Sequence, residues 1–513
     1  MEVQAAILKL GIDKCPSIDG WTGRELRMLP PEAIKELTII LNLIETNCAW
    51  PAQILQVLVV LIPKPKGGDR PISLVSLIFK LWEVLNACTI TKWEDEKIVF
   101  WDDAVRGSSA LRAAALRRLR AEAASLMGEE FTYILWDAEK FYDNVDLLQL
   151  FESAIACGLD GREAVLGLAI FMAPRTIRIG RVVGSDTTPS NGMIAGIKRA
   201  NYYSRLLLYN MLETMHQVIP AAAPRSFVDD LAQLITGDEE TVIDLACRSV
   251  RILIAMLKGI KIVVSGKTMI IGSRLRIAKA IQKRILSECG VDIFATRHGT
   301  DLGIDCGGAT RAVSHQTDRG IKADARNTRA KFLTSLCRRA ESMVSTGSNP
   351  QRSYGFCVMG MPPAKLDHWR ASNASAIGIA TSACKTSAFA LRGDNMDPAL
   401  TVPSDQIRFW LELYSTADPV LQVKLQTAWF KIPARTSSAR WKAVTGPCAA
   451  SFLTQAQIGW KPIGPDAYRD PTGAVWSMGI GRTDSTGDGT NGAPLGNHTT
   501  FIRQVKDDAA NQL

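Results

Sequence analysis

Arg225-Ser226-Phe227-Val228-Asp229-Asp230-Leu231-Ala232-Gln233-Leu234-Ile235 sets two adjacent carboxylates between two short runs of strand length, and the fold turns on how it is read. Two such runs flanking a tight connection make a β-hairpin, so Asp229 and Asp230 stand at its tip. An exposed perch of this kind suits a hard cation, which prefers carboxylate oxygens. Taken alone, the same tetrad is satisfied by a solvated Asp-Asp turn, so its neighbours have to decide.

Working outward, Phe131 to Trp136 reads as a strand that runs into Asp137-Ala138-Glu139-Lys140-Phe141-Tyr142-Asp143. A strand ending in Asp137 beside a hairpin bearing Asp229 and Asp230 gathers three acids from distant parts of the chain. Such a cluster is costly unless a cation neutralises it. Phosphoryl transfer to a hydroxyl uses two divalent cations roughly 3.5–4 Å apart, held by such carboxylates. Asp137, Asp229 and Asp230 are therefore the candidate metal ligands and catalytic residues, for two Mg²⁺ ions with Mn²⁺ as a substitute.

Around them, Pro30-Pro31 precedes an amphipathic helix over 32–47, in which Ile34, Leu37, Leu41 and Ile44 repeat at helical spacing. A strand at 57–62 is interrupted by the basic, turn-rich loop Pro63 to Pro71 and resumes at Ile72-Ser73-Leu74, giving a hairpin with a cationic tip. An Ala-rich helix over 107–127 carries Arg112, Arg117, Arg118 and Arg120 on a face read as solvated. Helices follow at 146–157, 198–216 and 238–258, with strands at 260–264 and 268–272. Irregular alternation of this sort is α+β and not doubly wound. Beyond 310 the pattern is helical: Phe332, Leu333, Leu336, Cys337 and Ala340 form one apolar stripe, expected to pack, opposite Lys322, Arg326 and Arg329. No internal repeat is visible.

The 513 residues are 47% hydrophobic and 22% charged, ordinary globular material. Sixty Lys plus Arg against 51 Asp plus Glu leave a net charge of +9, which favours an anionic partner. Six of those nine charges fall in 311–340, where eight basic residues face two acids, a concentration that points to nucleic acid. The 11 cysteines show no C-x-x-C spacing, which excludes a zinc knuckle and suits buried thiols in a reducing compartment. With no signal-peptide pattern and no apolar run long enough to span a bilayer, the reading is a soluble intracellular protein with no membrane partner. Oligomeric state is not encoded in any pattern here.

In their order, these motifs resemble the reverse transcriptases of non-long-terminal-repeat retrotransposons. Leu61-Ile62-Pro63-Lys64 with Arg70-Pro71-Ile72-Ser73-Leu74 looks like the family's fingers motif, and Asp137 to Val145 like its first palm motif. Phe227 to Asp230 looks like the aromatic-x-Asp-Asp palm hairpin. Ile18-Asp19-Gly20-Trp21 is similar to the segment leading into the fingers, Ser265-Gly266-Lys267-Thr268 to the lysine motif, and Asp301-Leu302-Gly303-Ile304 to the primer-grip turn. The resemblance covers roughly residues 18 to 305. It implies a right-hand polymerase fold with fingers, palm and thumb, an antiparallel palm sheet and a mainly helical C-terminal part.

The resemblance also implies roles. Lys64 and Arg70 would hold the incoming deoxynucleoside triphosphate, Lys267 would protonate the leaving pyrophosphate, and the Tyr142 ring would exclude a ribose 2′-hydroxyl. Gly196, in Gly192-Met193-Ile194-Ala195-Gly196, matches the turn where template and nucleotide approach the backbone, with Gly192 a competing register and Ala195 in place of the usual polar residue. RNA template and DNA primer would be the partners, and a nuclear setting follows for a eukaryotic retrotransposon. The implied activity is RNA-templated DNA synthesis; the alternatives are an RNA-templated RNA polymerase and an inert retroelement relic that binds nucleic acid.

The expected divisions are an N-terminal segment with fingers over 1–130, palm over 131–305, a basic thumb start over 306–345, a thumb extension or accessory region over 346–478, and a flexible tail over 479–513, where six glycines fall between Gly479 and Gly496. Gly266-Lys267-Thr268 also ends a phosphate-binding P-loop pattern. That reading fails because Lys261 stands where a glycine is needed and a strand-like run, Met269-Ile270-Ile271, follows.

Overall fold

The computed structural model describes residues 2–13, 15–64, 67–380, 382–392, 396–437, 440–477, 481–483 and 499–512. The strands that position the site are β1 (Val57–Pro63), β2 (Asp69–Val75), β3 (Glu130–Trp136), β4 (Arg175–Ile179), β5 (Val182–Thr187), β6 (Arg225–Phe227), β7 (Asp230–Gly237), β8 (Met269–Gly272) and β9 (Phe294–Thr296). Helices and several sheets alternate irregularly, an α+β arrangement. The chain divides into two compact units. The first takes in residues 1–107, 136–231 and 248–268, the second 108–135, 232–247 and 269–513, so the expected 131–305 segment contributes to both.

In the first unit a four-stranded sheet runs in the order β2-β1-β4-β5. β1 and β2 pair antiparallel from Val57↔Val75 to Pro63↔Asp69, the hairpin expected from the interrupted apolar run. Beside it, the helix Leu77–Leu85 buries Phe79 and Trp82 against Trp50, with ring centroids 5.3–5.6 Å apart. The helix Lys198–Val218 contributes Arg199, whose guanidinium is fully buried 4.0 Å from the Trp82 ring and ion-paired with Glu83 and Glu163. A charge placed there is tolerable only because acids and an aromatic face replace its water.

In the second unit β7, β3, β8 and β9 are neighbours in that order. β3 and β8 pair antiparallel from Thr132↔Gly272 to Leu135↔Met269, and β8 pairs parallel with β9. Phe131, Tyr133, Leu135, Ala232 and Ile271 fill one core beneath this sheet. A larger core gathers Leu119, Trp410, Trp429, Tyr468 and Trp476. The C-terminal part is mainly helical as expected, with a small sheet of β10 (His298–Asp301) and β11 (Ile304–Gly307), and another of β12 (Lys461–Gly464), β13 (Ala467–Arg469), β14 (Val475–Ser477) and β15 (Gly481–Thr483). No helix among the described residues is long and apolar enough to cross a membrane.

Four expectations are corrected. The helix Ala110–Met127 does not present all its arginines to solvent: Arg117 makes a bidentate pair with Asp301 at 2.8 and 2.9 Å, and Arg118 donates to the carbonyls of Thr445, Gly307 and Gly308. Their partners lie far along the chain, out of reach of helical periodicity. The stripe Phe332, Leu333 and Leu336 is exposed; the helix Ser314–Leu336 instead buries Ala323, Asn327 and Ala330, small enough for close packing against the helix Pro363–Ala376. The strand expected at 260–264 shrinks to one bridge, Ala138↔Val264, because Lys261 takes a left-handed conformation. In the tail expected to be flexible, the helix Thr499–Asn511 inserts Phe501, Val505 and Ala509 into the large core at four-residue spacing. The glycine-rich stretch 484–498 lies outside the described residues.

Glu122, 1% exposed on the same helix as Arg117, accepts from the backbone N–H groups of Cys448 and Ala449 at 2.8 and 3.1 Å, at the start of the helix Pro447–Gln457. Burial pushes its carboxyl above the usual range. Replacing it strands two buried donors, so Glu122→Ala should lower unfolding free energy by about 1–3 kcal/mol in urea titration; an unchanged midpoint contradicts this role.

Candidate active site

Asp137 directly follows β3 and is fixed through its backbone. Its carbonyl accepts from Ser265 N–H at 2.7 Å, and its N–H donates to the Thr268 hydroxyl at 3.1 Å. Glu139 N–H donates to Val263 at 2.8 Å, so residues 137–139 lie along 263–268 like a short strand pair. That turn carries Lys267, exposed two residues from Ser265, and is followed by β8 and not a helix, as the rejection of a P-loop requires. Lys267 is thus brought beside the Asp137 backbone.

The hairpin arm β6 is braced from its other side by 101–103. Ser226 N–H donates to Trp101 at 3.0 Å, Asp103 N–H donates to Ser226 at 2.8 Å, and Arg225 pairs with Asp103. Arg205, buried, pairs with both Asp102 and Glu94, anchoring the brace. Between β6 and β7, Val228 adopts φ 61°, a left-handed conformation that costs a β-branched residue on the order of 1–3 kcal/mol. Lys140 and Lys261 share this left-handed backbone, so strained positions crowd around the acids.

Asp137 and Asp229 line one small, largely apolar cavity with Trp136, Phe141, Leu208 and Leu257. Burial, and then the charge of Asp137, raise the Asp229 carboxyl above its ordinary value. Asp230, the first residue of β7, is exposed. Asp137 and Asp229 thus share one cavity, with Asp230 exposed next in sequence, and no group of three or more His, Cys, Asp or Glu that could hold a metal ion is found among the described residues. Two carboxylates still fit Mg²⁺, which is commonly held by one or two of them together with substrate phosphates.

Tyr142 lies in the field of Asp229 and Asp230. Burial, then the charge of Asp229 and more weakly that of Asp230, push its hydroxyl up to about 12. Gly192 and Gly196 separate cleanly. Gly192 (φ 88°) packs so closely that a Cβ there would lie 2.7 Å from the Asp143 carbonyl, whereas Gly196 (φ 95°) faces open space. Gly196 borders a cleft of about 700 Å³ that also touches Asn201, Tyr202, Phe227 and Val228. Gly192 is thus a packing residue, and Gly196 is open on the cleft side.

Lys64 and Arg70 are exposed on the β1–β2 hairpin. Arg70 pairs with Ile62, so by strand alternation Lys64, two residues on, falls on the same face. No hydrogen bond or ion pair among the described residues joins either to Asp137 or Asp229. In the second unit Lys322, Arg326 and Arg329 are exposed on one helix, with Lys331 and Phe332 following. Arg311 is turned inward onto the carbonyls of Met359 and Gly360, and Arg319 stacks on Tyr354 at 4.3 Å, so the basic surface is smaller than the sequence count. Sequence reasoning gave no role to Asn201 or the 101–103 brace, and named Thr268 only within the lysine motif, without its bond to the Asp137 backbone.

No protein-family model matches the chain. A Drosophila melanogaster protein described as a probable RNA-directed DNA polymerase from transposon BS is 37% identical over 92 residues, 17% of this chain and 10% of that protein. The chain thus covers about a tenth of that relative's length, and over this part the similarity suggests kinship with a transposon polymerase.

Proposed function

We propose that the chain is an RNA-directed DNA polymerase of the retrotransposon type, with a right-hand arrangement of fingers, palm and thumb. The observation that carries this reading is that Asp137, directly after β3, and Asp229, in the turn before β7, line one cavity, with Tyr142 in the field of Asp229. Magnesium bound there would activate the primer hydroxyl and neutralise the triphosphate, and Asp137 and Asp229 are the residues that would hold it. Asp230 adds negative charge nearby, at the start of β7.

The other roles follow from chemistry and exposure. Lys64 and Arg70 grip the triphosphate of the incoming deoxynucleotide, Arg as a bidentate donor and Lys as a point charge. As the primer oxygen bonds to the α-phosphorus and the bond to pyrophosphate breaks, Lys267 gives a proton to the leaving oxygen. Gly196 leaves room for the template strand, and Tyr142 fills the space that a 2′-hydroxyl would need. Lys322, Arg326 and Arg329 track phosphates of the RNA template and DNA primer, and exposed Phe332 offers a stacking surface beside them. Two facing acids and the neighbouring Lys267 favour an active enzyme over an inert relic.

Primer extension on an RNA template tests this. The full chain should incorporate deoxynucleotides, and Asp229→Ala should lower the rate about a thousandfold, the loss of several kcal/mol of charge stabilisation. Extension with ribonucleotides alone would instead identify an RNA polymerase, and salt-sensitive RNA binding without extension a relic.

Holding two acids together in readiness also has a stability signature. Because the folded Asp229 carboxyl titrates above its unfolded value, the metal-free protein loses stability as pH rises from the ordinary Asp range through that raised value. Asp229→Asn removes the loss, so in chelator at pH 7 the variant should melt above wild type; an equal or lower midpoint contradicts the strained pair.

A further inference from the structure

Asn201 lies in the first turn of the helix Lys198–Val218 and is exposed, yet its Oδ1 accepts a hydrogen bond from the Tyr142 hydroxyl at 3.1 Å. No role assigned above uses it. The Tyr142 backbone is already fixed: Met193 N–H donates to its carbonyl at 2.6 Å, Gly192 N–H donates to Val145 at 2.8 Å, and Gly192 packs on the Tyr142 and Asp143 carbonyls. These contacts set where the side chain begins. They leave its two torsions free apart from an edge contact with Phe141, whose ring centroid is 5.4 Å away. At the far end of the ring the hydroxyl donates to Asn201, with the Ser204 hydroxyl also within its reach. A phenol is protonated at neutral pH, so that end can donate.

We infer that Asn201 is the positioning residue for sugar discrimination: by tethering the Tyr142 hydroxyl it holds the ring edge across the place of a ribose 2′-hydroxyl. This rests on the polymerase reading above. A ring anchored at one end swings aside for the extra oxygen at little cost; a ring anchored at both ends must break a hydrogen bond first. Asn201 thereby acts on the choice between ribonucleoside and deoxyribonucleoside triphosphates and not on bond formation.

The test is kcat/KM for matched deoxy- and ribonucleoside triphosphates on a primed RNA template, with the full-length wild type, Asn201→Ala, Tyr142→Phe, their double variant, Asn201→Asp and Tyr142→Ala. Asn201→Ala and Tyr142→Phe should each lower discrimination about three- to tenfold, the worth of one hydrogen bond, while in Asn201→Ala kcat for the deoxynucleotide stays within about twofold. The double variant should lose no more than either single, because both remove the same bond. Asn201→Asp retains the acceptor and should restore selectivity. Discrimination lost in Tyr142→Ala but unmoved in Asn201→Ala overturns the inference and leaves the polymerase intact. Wild-type extension with no sugar preference, or no extension at all, overturns the gate or the polymerase reading, and the inference with it.

Discussion

Burial of the Asp229 carboxyl beside Asp137 is the constraint on which the candidate site depends. Both acids line a cavity of mostly apolar residues, where water screens their charges poorly. Folding brings them together only because other contacts hold each from behind. Asp137 is held by backbone hydrogen bonds to 263–268, and Asp229 by a hairpin arm whose outer edge is laced to 101–103. The left-handed backbone at Lys140, Val228 and Lys261 is the local expression of the same compression.

The structure accommodates this with an unusually polar interior behind the acids. Arg199 lies among Glu83, Glu163 and the Trp82 ring, and Arg205 between Asp102 and Glu94. Buried pairs of this kind add little to net stability compared with apolar packing, but removing one partner leaves a desolvated charge, which is costly. They therefore fix geometry more than they strengthen the fold. Tyr142 joins the two systems, since its ring meets the field of Asp229 while its hydroxyl reaches the helix that carries Arg199 and Arg205.

Elements with strong local periodicity were readable in the sequence: the hairpin of β1 and β2, the strand entering Asp137, the helices that became Lys198–Val218 and Glu239–Gly259, and the hairpin at Asp229. Misreadings arose where a distant partner overrides local pattern. Arg117 looks like a surface cation until Asp301 arrives from 184 residues away. Phe332, Leu333 and Leu336 look like a packing stripe, yet small Ala323 and Ala330 with Asn327 allow the closer approach to a neighbouring helix. Asn201 gave no signal, because a hydrogen bond to Tyr142 across 59 residues leaves no trace in spacing.

The claim on which all of this rests is that Asp137 and Asp229 together hold a divalent cation against a nucleotide. Its most direct measurement is Mn²⁺ binding by electron paramagnetic resonance, on the full chain with a deoxynucleoside triphosphate present, in wild type and in Asp137→Asn and Asp229→Asn. The protein-dependent Mn²⁺ signal should be strong in wild type and fall by tenfold or more in affinity in either variant, about 1.4 kcal/mol or more of lost binding. Equal binding in all three proteins would contradict the assignment, and the facing acids would then be a structural pair.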